Sequence, residues 1–273
     1  MPTEQQQAFS KVLDLVEEAG CIDHVVLIGS WAEFAYREAD VLPGFCPNIK
    51  TMDVDFLVRN LRRPSPAARL SALAKERGFF VESDRMTGTT KLLDITGLEV
   101  EFLIRKMGEG KEPALKTNIG VTAQALWHMD VILKNTINVR CLSHVVTVPT
   151  PEAYAIHKMI INSERGKKAE KDAHAVENMF PLLDEERLNK IFSSLSKKRE
   201  SKGQHVCRNP WRCNAYLGNR LNHWWATNWA GCLAPFECGC QWHACSNGIL
   251  WKAFTSRRAV IDFAVLGDDY LDF

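Results

Sequence analysis

The feature that most constrains the fold is a short apolar run, Val25-Val26-Leu27-Ile28, broken by Gly29-Ser30 and followed at once by helical spacing. Its length and β-branching predict a buried strand. Ser30 and Glu33 stand at capping-box spacing, so a helix is predicted to start at Ser30 with Trp31, Phe34 and Ala35 on its apolar face. A second strand is predicted over Asp53-Val54-Asp55-Phe56-Leu57-Val58. Side chains alternate along a strand, which places Asp53 and Asp55 on one face and Val54 and Phe56 on the other.

The neighbouring segments fit around these two strands. Thr3 with Gln6 predicts a capped helix carrying Phe9, Val12, Leu13 and Val16 and stopping at Gly20. Residues 40–51 read as a loop, and Pro66 to Arg77 as a helix stopped by Gly78. Lys91 to Ile95 and Leu98 to Ile104 read as strands of a hairpin turning at Thr96-Gly97. The expectation is an α/β (α+β) fold, a mixed β-sheet core with packed helices. Beyond residue 105 the pattern turns mainly helical. Thr150-Pro151-Glu152 marks one helix start, and further helices are expected near 168–180 and 184–199. Three segments follow: a mixed α/β domain over 1–106, a mainly helical domain over 107–202, and a tail over 203–273.

The tail differs in composition from the rest. It holds six of the nine cysteines and six of the eight tryptophans, and only 11 of its 71 residues are charged. Its Cys-x5-Cys and Cys-x-Cys spacings lack the paired knuckles of structural zinc sites, and its tryptophans follow no strand or helix period. An out-of-frame or fused extension is the expected origin, since Trp and Cys codons neighbour stop codons. A zinc-dependent or nucleic-acid-binding tail is the alternative.

Averages exclude other classes. The 273 residues are 46% apolar with a net charge of +1, which excludes a disordered chain and a strongly basic nucleic-acid wrapper. No stretch approaches the ~18 consecutive apolar residues of a membrane helix. Met1 to Gln7 lacks the basic and apolar regions of a signal peptide, so a cytoplasmic location without membrane contact is expected.

Paired carboxylates carry the chemistry. Asp53 and Asp55, on adjacent same-face positions, suit a shared pair of hard divalent cations. The strand Leu98-Glu99-Val100-Glu101-Phe102 offers a third acid from either Glu99 or Glu101. Gly29 lets a phosphate approach the backbone, and Ser30 sits where free helix N–H groups favour an anion. A triphosphate beside two metals is the equipment of in-line nucleotidyl transfer. The plainer alternatives are a solvated strand face for the aspartates and a helix-capping role for Ser30.

Three stretches resemble a known group: Val26-Leu27-Ile28-Gly29-Ser30-Trp31-Ala32-Glu33, then Thr51-Met52-Asp53-Val54-Asp55-Phe56-Leu57-Val58, then Val100-Glu101-Phe102-Leu103. They are similar to the DNA polymerase beta-type nucleotidyltransferase superfamily, and to its small bacterial members related to the nucleotidyltransferase toxins of abortive-infection systems. The resemblance implies an NTP such as ATP as nucleotide donor, two Mg²⁺ ions bound by Asp53 and Asp55, and triphosphate contact by Gly29 and Ser30. It assigns Glu101 as third carboxylate, with Glu99 competing. His157-Lys158, Arg165, Lys168, Lys171 and Asp172 resemble the lysine-rich motif that follows the catalytic domain, which gives Lys158 a triphosphate contact; a charge-laced exposed helix face is the alternative. The similarity spans about residues 20–182, with a longer Ser30–Asp53 interval than in the smallest members. The implied activity transfers a nucleoside monophosphate to a hydroxyl of RNA, protein or a small molecule, with an antitoxin-like genetic partner. A catalytically inactive binding or antitoxin-like module is the alternative on the same fold.

Overall fold

The computed structural model describes residues 3–47, 51–106, 112–162 and 169–200. The tail over 203–273, with its zinc, nucleic-acid and out-of-frame readings, lies outside the described residues, as do Arg165 and Lys168.

Helix α1 (Glu4–Glu18) begins as the sequence predicts. The Thr3 hydroxyl accepts from the Gln6 amide at 3.2 Å, and the Gln6 side chain accepts from the Thr3 amide at 2.8 Å. Its inner face buries Phe9, Val12, Leu13 and Val16. Strand β1 (Val25–Ile28) is buried throughout and leads into α2 (Ser30–Glu38). Phe9 stacks on Trp31 of α2 with ring centroids 4.0 Å apart, and Phe34 meets both rings edge-on. Trp31 is therefore a core aromatic, whereas Trp127 is 49% exposed beneath the Lys106 ammonium.

One mixed, seven-stranded sheet organises the described residues. Strand β2 (Asp53–Val58) runs antiparallel to β1 and parallel to β5 (Glu99–Arg105). The first half of β5 pairs on its other side with β4 (Thr90–Leu93), which is followed outward by β3 (Phe80–Ser83). The second half of β5 pairs with β7 (Thr122–Leu126), flanked by β6 (Ala114–Lys116). The β4–β5 hairpin agrees with the sequence. Helix α3 (Leu70–Glu76) starts later than Pro66, because the Ala68 and Leu70 amides donate to the carbonyls of Asn118 and Ile119 and hold the preceding residues out of the helix.

Helix takes over later than expected. Past residue 105 come β6 and β7, the short α4 (Asp130–Lys134), and a separate hairpin of β8 (Thr136–Cys141) and β9 (His144–Pro149). The hairpin is rich in Val, Thr and Ile and turns through Leu142 at φ 54°, a β signal that outweighs helical spacing. Helices α5 (Pro151–Ile161), α6 (Ala169–Met179) and α7 (Glu185–Glu200) then follow as predicted. The Thr150 hydroxyl caps α5 by accepting from the Ala153 amide at 3.3 Å.

Both faces of the sheet are used. Val54, Phe56, Val58, Val100 and Phe102 are buried on one, where Phe56 and Phe102 stack at 6.1 Å. On the other, Val26, Ile28, Leu57 and Leu103 pack with Met129 and Ile132 near α4, leaving the acidic positions at the opposite end. Phe9→Ala removes a ring that is 0% exposed. Urea denaturation is expected to show a loss of about 3–5 kcal/mol with an unchanged denaturant slope.

Candidate active site

The acidic face follows from strand register. Asp53 lies opposite Glu99, and Asp55 opposite Glu101, on parallel neighbours. All four carboxylates are half-buried, while the alternating Val54 and Val100 are fully buried. Adjacent strands lie about 4.8 Å apart, so Asp55 and Glu101 start from backbone positions close enough for one cation to span them. Asp55 also faces Ile28, the last residue of β1, which brings the Gly29–Ser30 turn to the same end of the sheet.

Gly29 is required there on two counts. Its φ is 69°, and a Cβ on it would lie 2.5 Å from Asp55 Oδ2. The glycine is itself the N-cap of α2, with no side-chain cap bond, and Ser30 is the first helical residue. The capping role expected of Ser30 is therefore corrected: Gly29 takes the N-cap position and Ser30 opens the helix. Glu33 is likewise no capping partner. It is 5% exposed and accepts a hydrogen bond from the Tyr154 hydroxyl of α5. Burial pushes the Glu33 carboxyl up, against the opposing pull of Tyr154 and of the Lys158 charge.

The lysine-rich segment divides into two roles. Lys158 of α5 is buried, with its ammonium 2.5 Å from Asp172 of α6 and 5.2 Å from the centre of the Tyr154 ring. Lys171, next to Asp172 in the chain, reaches toward the turn, with its Nζ 3.4 Å from Ser30 Oγ. The basic group beside Ser30 is thus Lys171, and Lys158 lies one layer behind it. His157 is buried on α5, and His174 is exposed beside Glu177.

One functional candidate was not singled out in the sequence. Lys91, central in β4, lies opposite Glu101 and forms ion pairs with both Glu101, at 2.6 Å, and Glu99. The hydrogen bonds it donates to Glu101 and then Glu99 hold its ammonium well above the ordinary lysine range. The signal was a lysine on the strand beside two alternating glutamates, visible only once the hairpin register is known.

Asp53, Asp55 and Glu101 offer the hard oxygen donors that a divalent cation takes, on one face and in register. Among the described residues no group of three or more His, Cys, Asp or Glu is placed to hold a metal ion. Both glutamates engage Lys91. Burial pushes the Cys21 thiol up to about 11 and the Cys141 thiol to about 12, so these two buried cysteines are core residues and not thiolate nucleophiles. No described helix is long and apolar enough to cross a membrane.

The buried pair yields a test of its own. Lys158→Met leaves the Asp172 carboxylate buried without its cation and is expected to cost about 3–5 kcal/mol in denaturant unfolding. Adding Asp172→Leu is expected to recover part of that loss, since it removes the buried charge left behind.

A family model described as Nucleotidyltransferase matches residues 7–198. The chain has no match among curated proteins. Among solved structures it is similar to an antigenic nucleotidyltransferase-like protein from Paracoccidioides brasiliensis, at 15% identity over 73% of this chain and 90% of that one, with a TM-score of 0.40. It is also similar to the antibiotic-resistance factor ANT(2'')-Ia, at 13% identity over 74% of this chain and 97% of that one, with a TM-score of 0.42.

Proposed function

Since the chain belongs to the Nucleotidyltransferase family and is an enzyme of nucleotidyltransferase type, we propose that it transfers a nucleoside monophosphate from an NTP to a hydroxyl acceptor and releases pyrophosphate. One observation carries this reading: Asp55 lies between Glu101 and the Gly29–Ser30 turn, so acid donors and a phosphate-accepting helix start meet at one point.

The residues divide the work by chemistry. Asp53 and Asp55 would hold two Mg²⁺ ions, and Glu101 would complete the set or accept the proton of the attacking hydroxyl. When bound, the metals neutralise the triphosphate and stabilise the attacking and leaving oxygens of an in-line displacement. Gly29 leaves the space that a side chain would take beside Asp55. The first N–H groups of α2 and the Ser30 hydroxyl receive the β- and γ-phosphates. Lys171 adds a positive charge at Ser30. Lys158, read from sequence as a triphosphate contact, supports that charge by fixing Asp172 next to it.

The acceptor class extends to RNA, protein or a small molecule, and the relation to abortive-infection toxins would bring an antitoxin-like partner. Transfer of α-labelled NTP into total RNA or cell lysate tests the catalytic assignment. Asp53→Asn, Asp55→Asn and Glu101→Gln are each expected to lower labelling by about a hundredfold or more while circular dichroism stays unchanged. Labelling by Asp55→Asn at the wild-type rate would refute it. The inactive-module reading predicts no labelling by the wild-type protein either.

A further inference from the structure

Three residues stand in one row across three strands. Asp55 on β2 is the register partner of Glu101 on β5, and Glu101 is the register partner of Lys91 on β4. Glu101 therefore has a cation partner on one side and, on the other, the aspartate beneath the Gly29 turn. Glu99 is placed differently. Its register partners are Asp53 on β2 and Leu93 on β4, so its ion pair with Lys91 is diagonal. Four carboxylates on adjacent positions of two strands repel one another, and Lys91 supplies a positive charge on the β4 side of that group.

We propose that Lys91 is a positioning residue that competes with the divalent cation for Glu101, holding it against β4 in the metal-free chain and yielding it to Asp55 when the cation binds. Glu99 stays with Lys91 throughout, so the third carboxylate of the site is Glu101. The proposal rests on the nucleotidyltransferase reading of Asp53 and Asp55. It adds an internal cation that offsets part of the negative charge of the acid face between turnovers and sets the metal concentration at which the site assembles.

Acylation of lysines on the full-length protein, read peptide by peptide by mass spectrometry with and without Mn²⁺, tests this, with Mn²⁺ binding measured on the same samples by calorimetry. The ion pairs with Glu101 and Glu99 shield the Lys91 nitrogen from an acylating reagent, and release of Glu101 opens one side of it. Mn²⁺ is expected to raise Lys91 labelling severalfold while Lys11 and Lys75 are unaffected, and Glu101→Gln is expected to abolish that response. Lys91→Met is expected to bind Mn²⁺ about tenfold more tightly, since no side chain must be displaced and a neighbouring positive charge is gone. Lys91→Arg keeps the charge and should not tighten binding. Mn²⁺ binding with unchanged Lys91 labelling would overturn the proposal and leave the metal site standing. Absence of Mn²⁺ binding would overturn both.

Discussion

The parallel pairing of β2 with β5 is the constraint on which the rest of the site depends. It aligns Asp53 with Glu99 and Asp55 with Glu101, and in the same stroke aligns Val54 with Val100 and Phe56 with Phe102. Because the side-chain period of a strand is two, the register that buries the apolar set also gathers the acids. A one-residue slip of β2 would exchange its two sets, burying Asp53 and Asp55 and exposing Val54 and Phe56. The free energy of core burial therefore enforces the acidic face, and the site needs no separate device to hold its backbone.

Contacts from the helices complete that face from the side of α2. Tyr36 of α2 donates to the Pro149 carbonyl at 2.8 Å and meets Tyr154 of α5 edge-on, while Glu33 accepts from the Tyr154 hydroxyl. Lys158 and Asp172 then tie α5 to α6 and set Lys171 beside Ser30. Buried ion pairs are weak sources of net stability, because desolvation offsets most of the attraction. Their clearer effect here is geometric: the charge at Ser30 is held by residues that never reach the surface. Replacement of this layer by apolar residues would spare the fold more readily than the placement of Lys171.

Much of this was legible in the sequence where one residue type admits one arrangement. The four-residue run of β1, the alternation in β2 and β5, and the capped starts of α1 and α5 depend on local periods, and the structure follows them. Other parts depended on partners distant in the chain. Ser30 looked like a cap, and only the positive φ of Gly29 moves the N-cap onto the glycine. Lys158 and Lys171 were indistinguishable as members of one basic helical motif until packing buried the first and turned the second toward Ser30. Lys91 carried no signal by itself, since its meaning comes from lying across from Glu101. Strands β3 and β6 to β9 were not expected, although the alternation in β8 and the valines of β9 carried a strand signal.

The central claim is that the Asp53–Asp55 face and the Gly29–Ser30 turn form one nucleotide site that requires a divalent cation. Titration calorimetry of the full-length protein with ATP and GTP, with and without Mg²⁺, tests it most directly. The account predicts binding of at least one nucleotide that needs Mg²⁺ and disappears in the Asp53→Asn/Asp55→Asn double variant. Binding that is equally strong without Mg²⁺, or that survives in the double variant, would contradict it.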